Sequence, residues 1–188
     1  MKRLFWVAVT LASAATAHAA FVLFVPSYLF AREVRSIMAD APENSFFILA
    51  PQDQARLLPG LPPHSVTGMC MFDVSAGDVT LAADLPDGFW ITTIYTDRGD
   101  AIYSVNNRQS GSNQFSVSLS LAPGFIDMLI QATDKERPEI DSGWTVQSPE
   151  PRGLAVVWYP LPEQAMRPAA TTAMKRTRCG MKARSLSQ

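Results

Sequence analysis

The stretch Phe89–Arg108, FWITTIYTDRGDAIYSVNNR, organises the rest of the chain. β-Branched and aromatic residues occupy both halves of this stretch, and these residue types favour strands. Between the halves lies Asp97-Arg98-Gly99-Asp100, where Gly99 can adopt the positive φ of a tight turn and Asp97 can bond the turn backbone. The stretch therefore predicts two strands joined as a hairpin.

Further short β-patterns lie on both sides of this hairpin. In the clearest, Phe115–Leu121, apolar residues alternate with serines, as expected for a strand with one face in water. The other predicted strands are Phe46–Leu49, Thr67–Val74, Val79–Ala83, Ile126–Gln131, Trp144–Gln147 and Leu154–Tyr159. The predicted loops are Leu57–Pro63, Asn106–Gln114 and Asp134–Asp141. Short strands separated by turns indicate a mainly β fold, an antiparallel β-sandwich or barrel.

The N-terminal segment is apolar enough to enter a membrane. Lys2 and Arg3 precede an uncharged run, Leu4–Val25, whose 22 residues measure about 33 Å as a helix. One interpretation is a signal peptide with its cleavage site at Ala17-His18-Ala19, and the other is a retained transmembrane anchor. The anchor is favoured because apolar residues continue past that site. Pro26 is then expected to end or kink the helix.

These patterns divide the chain into three parts. Residues 1–30 are the anchor or an uncleaved signal, residues 31–44 are a juxtamembrane linker or helix, and residues 45–188 are the β-domain with a basic C-terminal tail. Within the last part, Pro162–Lys175 fits a short C-terminal helix that Arg167-Pro168 interrupts. The tail is either a solvated end or a segment attracted to anionic lipid. Its basic residues are Lys175, Arg176, Arg178, Lys182 and Arg184.

Composition excludes several classes of function. A formal net charge of −1 gives no electrostatic basis for binding nucleic acid. The chain has two histidines, His18 and His64, and two cysteines, Cys70 and Cys179, so a His-rich or Cys-rich metal site is excluded by count. The sequence has no phosphate loop, dinucleotide fingerprint or nucleophile elbow. We therefore predict no cofactor, no metal and no catalytic residue, and we lean against an enzyme.

Several of these features together resemble the small membrane-anchored proteins of the domain of unknown function 1254 family, which are bacterial. The resemblance is most specific between Cys70 and Arg108, and it differs in one place, where Asn106-Asn107-Arg108 stands instead of the family's Asn-Asp-Arg. It rests on His18 and Pro26, Cys70-Met71-Phe72-Asp73, Trp90, Tyr95, Gly99, Ile102-Tyr103-Ser104, Asn106-Asn107-Arg108, Arg167 and Cys179. It implies a jelly-roll-like envelope domain, a single-pass inner-membrane anchor, and a related β-domain protein as partner. It implies no reaction.

Two constellations are candidate sites. Cys70 and Cys179 form a disulfide if the domain lies in an oxidising compartment, and otherwise remain two unpaired thiols. Aromatic, amide and guanidinium groups around the central hairpin suit a pocket for a sugar, acyl or carboxylate ligand. The alternative is that the aromatics are core and the Asn-Arg loop is turn chemistry. The pocket candidates are Trp90, Tyr95, Tyr103, Asn106, Asn107 and Arg108.

The sequence leaves three function hypotheses. The first is a non-catalytic envelope module with its domain in the periplasm that binds another protein, and an extended apolar edge or patch favours it. The second is a small-ligand-binding β-sandwich, which an aromatic-lined cavity favours. The third is a hydrolase, which needs a carboxylate pair or a Ser–His contact inside a cleft.

Overall fold

The computed structural model describes residues 2–37, 41–62, 64–124 and 144–182. The described chain begins with a long helix, α1, over Lys2–Ile37. The strands are β1 Phe46–Ile48, β2 Ser65–Asp73, β3 Val79–Asp84, β4 Ile91–Thr96, β5 Ala101–Asn106, β6 Gln114–Leu121, β7 Trp144–Ser148, β8 Arg152–Pro160 and β9 Arg178–Met181. The other helices are α2 Pro51–Leu57, α3 Asn107–Ser110 and α4 Arg167–Lys175, with a 3-10 turn at Gln164–Met166 before α4.

The strands within these ranges form two sheets. The first has five strands in the order β1-β2-β8-β4-β5, all antiparallel, and the second has four in the order β7-β6-β3-β9. In the second sheet β7 runs parallel to β6, so this sheet is mixed. The expectation of a purely antiparallel sandwich is therefore only partly right. The chain over 122–143 separates β6 from β7 and is far longer than a hairpin loop, which leaves room for the crossover that parallel pairing requires.

One buried core lies between the two sheets. The alternation predicted for β6 is confirmed, because Phe115, Val117 and Leu119 are buried while Ser116 is exposed. Trp90 stacks on Phe115 with ring centroids 4.8 Å apart, which joins the segment before β4 to the opposite sheet. Residues of both sheets contribute to this single cluster, so neither sheet buries its apolar face alone.

The N-terminal helix continues past the membrane-length segment and packs on the domain. Pro26 does not end α1 but lies inside it, since neighbouring turns of a long apolar helix can compensate one missing N–H. The helix is long and apolar enough to cross a membrane, by length and composition. Beyond Pro26, Val34 is buried in a second apolar cluster with Met69, Leu154 and Val156 on the outer face of the five-stranded sheet.

The C-terminal region is more ordered than the sequence suggested. Helix α4 starts at Arg167, so Pro168 lies in its first turn instead of interrupting a longer helix. The basic segment after it forms β9, which pairs with β3 from Ala82↔Arg178 to Val79↔Met181. Arg184 lies outside the described residues, as do the strand predicted at Ile126–Gln131 and the loop predicted at Asp134–Asp141.

Two further local predictions differ from the structure. Helix α2 was not predicted, although Pro51 at its first turn is a typical start signal. The loop predicted over Asn106–Gln114 contains α3, a single helical turn. Both helices are too short to show an apolar period, which is why sequence periodicity missed them.

Candidate functional site

The six residues proposed for a ligand pocket lie in different surroundings. Trp90 is fully buried in the core between the sheets, and Tyr103 packs against that same core. Tyr95 belongs to the outer cluster instead, with its ring 6.2 Å from that of Phe30 on α1. Burial raises the pKa of Tyr103, consistent with a packing role. The positions of these aromatic residues therefore agree with the alternative in which they pack in the apolar interior.

The Asn106-Asn107-Arg108 segment serves the backbone. The Asn106 side chain accepts hydrogen bonds from the N–H groups of Arg108 and Gln109, at 3.0 and 3.1 Å, and the Gln109 side chain accepts from the Asn106 N–H at 3.1 Å. This reciprocal pair is a capping box that starts α3. Arg108 is exposed, and Asn107 Oδ1 is buried without a hydrogen-bond partner. The hydrogen bonds of this segment therefore agree with the alternative in which the Asn-Arg loop stabilises a turn.

Two cavities lie elsewhere, and none of the six predicted residues lines either one. The first, of about 490 Å³, is an open cleft between α4 and the Asp84-Leu85-Pro86 turn. The second, of about 330 Å³, lies where α1 meets the five-stranded sheet, and we call it the junction cavity. It is lined by Phe30, Ala31, Val34, Arg35, Glu43, Met71, Thr96, Asp97, Arg152, Gly153 and Leu154. This volume falls in the range of small-molecule sites.

An ion-pair network borders the junction cavity. Arg152 Nε lies 2.8 Å from Asp73 Oδ2, and its Nη2 lies 3.4 Å from Glu43 Oε1. Hydrogen bonds from Ser75 and from Arg152 lower the pKa of Asp73 to about 2. The hydrogen bond to Asp73 raises the pKa of Arg152. Arg152 is thus neutralised by two carboxylates and fixed at the end of β8.

A second charged group lies at the hairpin tip. Arg98 Nε lies 2.8 Å from Glu150 Oε1, while Glu150 Oε2 is buried with no N–H or O–H donor among the described side chains. The neighbouring Asp97 side chain, together with burial, raises the pKa of Glu150. The turn backbone is bonded by Thr96 Oγ1, which accepts from the N–H groups of Arg98 and Asp100.

Strand β5 is an edge strand, and within the described chain its ladder partner is β4 alone. The Asn107 N–H donates to the Trp90 carbonyl, and alternate residues of an antiparallel strand turn their backbone groups to the same side. The backbone N–H and C=O of Val105 therefore face β4. Those of Ser104 face away from β4, on the outer side of the sheet. The Ser104 and Thr93 hydroxyls lie 3.2 Å apart, as expected for a pair without ladder hydrogen bonds.

Cys70 and Cys179 are joined by a disulfide with 6.4 Å between their Cα atoms. Cys70 lies in β2 of the five-stranded sheet and Cys179 in β9 of the four-stranded sheet, so the bond ties the two sheets together. This Cα separation is within the range for a disulfide.

His64 does not supply the Ser–His contact that a hydrolase of that kind needs. His64 Nδ1 lies 2.8 Å from the Gln164 amide nitrogen and is engaged there, not with a serine. Across the described ranges, no three His, Cys, Asp or Glu side chains are placed to hold a metal ion.

Comparisons with known proteins identify a fold and no activity. No family model and no curated protein matches the chain. The fold is similar to that of the VPA0106 protein from Vibrio parahaemolyticus, with a TM-score of 0.57 and 12% identity over 84% of this chain and 36% of that one. An uncharacterised protein from Burkholderia cenocepacia aligns over 70% of this chain and 35% of its own, with a TM-score of 0.47 and 14% identity. The chain therefore spans roughly a third of the length of these structures.

Sequence reasoning missed the junction cavity because its lining comes from distant segments. Phe30 and Arg35 come from α1, Met71 from β2, Asp97 from the hairpin turn and Arg152 from β8. The available signal was the apolar pair Val34 and Met38 beyond the anchor, which indicated that the helix continues with one face toward the domain.

Proposed function

We propose that this chain is a membrane-anchored, non-catalytic interaction module whose β5 edge pairs with a strand of a partner β-domain. The observation that carries the proposal is the composition of that edge. Strand β5, AIYSVN, has no charged residue and no proline, although natural edge strands are usually protected by such residues. Within the described chain, the Ser104 N–H and C=O have no ladder partner there, and these are the groups to which an added strand bonds.

The other edge of the same sheet provides a contrast. Strand β1 has only three residues, and helix α4 contacts it. A short, covered edge is a typical defence against strand pairing. The two edges of this sheet therefore differ. Strand β5 has six residues, twice the length of β1, and no described strand pairs with its outer side.

The setting we propose for this module is the periplasmic side of a bacterial inner membrane, with α1 as a single-pass anchor. The disulfide supports a non-cytoplasmic domain, because such bonds persist in oxidising compartments. We assign the domain to a jelly-roll-like β-sandwich of the domain of unknown function 1254 family, on the residues between Cys70 and Arg108. In the Vibrio protein a similar fold is part of a longer chain, which agrees with use beside other domains.

The test is site-specific photo-crosslinking in membranes. A photoreactive residue at Ser104 is expected to give one discrete adduct with a second β-domain protein. The same residue at Ser116, exposed on β6 of the other sheet, is expected to give none. Equal labelling from both positions, or no adduct from Ser104, would contradict pairing at this edge. An adduct with a second copy of this chain would replace the hetero-partner by a homodimer.

Two substitutions at the same position sharpen the test. Ser104→Pro removes the outward N–H without removing a hydrogen bond to β4, and proline is tolerated on the open side of edge strands. We expect it to abolish co-purification of the partner after gentle solubilisation. Ser104→Ala keeps the N–H and loses only the hydroxyl, so the partner should remain bound. Loss of the partner in both variants would indicate a side-chain contact instead.

A further inference from the structure

The junction cavity lies close to the membrane surface. The apolar run of α1 ends at Val25, and Phe30 and Arg35 follow on the same helix. At about 1.5 Å per residue they lie roughly 7 and 15 Å beyond that end. The headgroup layer occupies about 5 to 8 Å outside the hydrocarbon on each side. The cavity therefore begins at the level of the lipid headgroups when α1 spans the bilayer.

One wall of the cavity is apolar. Phe30 and Val34 from α1 face Met71 and Leu154 from the five-stranded sheet, and all four belong to the outer apolar cluster or pack against it. A space bounded in this way is suited to hydrocarbon and unsuited to a fully polar ligand. Apolar contact therefore continues from the bilayer into the domain.

Among the described residues, one cation that lines the cavity, Arg35, has no carboxylate partner. Arg152 is held by Asp73 and Glu43, whereas no ion pair of Arg35 is found among the described residues. Arg35 Nε donates to the carbonyl of Ala31, 3.1 Å away, and Ala31 also lines the cavity. A guanidinium with free donors binds phosphate or carboxylate oxygens. The nearby Asp97 and Glu43 disfavour a multiply charged anion, so a phosphodiester with a single charge is the better match.

From this arrangement we infer that the junction cavity binds a membrane phospholipid. Its phosphate bonds Arg35, and the first methylene groups of its chains contact Phe30 and Val34. This inference rests on the anchoring part of the proposed function and is independent of β5 pairing. The same phosphate chemistry is available from a soluble phosphodiester, so the experiment must separate the two sources.

The experiment is native mass spectrometry of the full chain released from membranes in mild detergent, with phosphatidylglycerol as the probe. The wild-type chain should retain one phosphatidylglycerol, and glycerophosphoglycerol, its headgroup without acyl chains, should not compete. Arg35→Gln should weaken retention roughly tenfold through loss of a charged hydrogen-bond donor. Ala31→Phe, which fills the cavity from α1, should abolish retention.

The matched control is Arg32→Gln. Arg32 is exposed, carries the same charge and lies one helical turn before Arg35, but does not line the cavity. Unchanged retention in this variant supports a built site, and a loss equal to that of Arg35→Gln overturns it in favour of general surface attraction. Competition by glycerophosphoglycerol would overturn the lipid as source and leave a soluble phosphodiester.

Alkaline extraction of the membranes separates this inference from the proposed function. A chain that stays in the membrane pellet but retains no lipid overturns only the lipid site. A chain that is extracted overturns the anchor, and both the proposed membrane setting and the lipid site fall with it. Loss of the crosslink at Ser104 with lipid retention intact overturns only strand pairing.

Discussion

The core between the sheets and the junction between α1 and the five-stranded sheet are both apolar, yet they are filled differently. In the core, Trp90 is fully buried and stacked on Phe115, and a disulfide joins the two sheets around it. At the junction, the apolar cluster around Val34 adjoins a cavity of about 330 Å³ with charged groups at its border. The core is therefore closed by packing, whereas the junction keeps the space that the proposed phospholipid would occupy.

The largest expected effect comes from breaking the core. Trp90→Ala removes a fully buried indole and leaves a cavity, so the free energy of unfolding should fall by about 3–5 kcal/mol. Guanidinium titration of the detergent-solubilised chain, followed by far-UV circular dichroism, measures this loss. Trp158→Ala is the matched control, because Trp158 is only half-buried, against Phe89. Its loss should be roughly 1–2 kcal/mol, and equal losses would contradict the contrast between core and surface aromatics.

A smaller effect is expected from breaking the junction. Gly99 adopts φ +90° at the hairpin tip, and a Cβ there would lie 2.8 Å from the Phe30 ring. Gly99→Ala should therefore lower the free energy of unfolding by about 1–2 kcal/mol and also separate the hairpin from α1.

Gly111 provides the comparison for this change. It also has positive φ, at +65°, but an added Cβ there meets nothing within 4 Å. Gly111→Ala should therefore lower the free energy of unfolding through backbone strain alone. If Gly99→Ala costs no more than Gly111→Ala, the contact between the hairpin and α1 does not stabilise the domain.

The smallest effect concerns pH at the border of the junction. The pKa of Asp73 is lowered from 3.8 to about 2, so its ionised form favours the folded state. This contribution is fully present above pH 4 and is lost as the pH falls from about 4 to about 2. It amounts to at most about 2 kcal/mol, because Arg152 is largely exposed.

The measurement is the difference in unfolding free energy between the wild-type chain and Asp73→Asn, taken from pH 6 to pH 2. The difference should shrink as Asp73 is protonated. The same measurement on Asp84→Asn, at an exposed aspartate outside this network, provides the comparison. If the difference stays constant with pH, Asp73 stabilises the folded state through the packing of its side chain and not through its charge.

Local pattern was sufficient to predict most of the strands. The alternation in Phe115–Leu121 and the turn around Gly99 identify β6 and the β4–β5 hairpin, and the apolar run identifies α1. β9 was missed because a four-residue strand with an arginine and a glycine carries no periodic signal. The parallel pairing of β7 with β6 depends on how two strands that are distant in sequence come together. Alternation within one strand does not encode this arrangement.

The candidate site was less predictable than the fold. Aromatic and amide residues near a hairpin suit a pocket and a core equally well, and burial decided between them for Trp90. Arg35 carried no signal of its own, since an arginine after an apolar helix is ordinary at a membrane boundary. Its position beside Met71 and Leu154 depends on the packing of α1 against the sheet.

The continuity of α1 from the apolar segment into the outer cluster has a consequence for encounter rates. Val34 is buried on the sheet, so α1, if it spans a membrane as proposed, would hold the domain in a fixed orientation at the membrane surface. Molecules held in this way search for one another in a plane, with much of the rotational search already removed. Such confinement raises the effective concentration of a correctly oriented partner and lowers the entropy cost of association. In the proposed membrane setting, an edge contact too weak to persist between freely diffusing domains would therefore be sufficient.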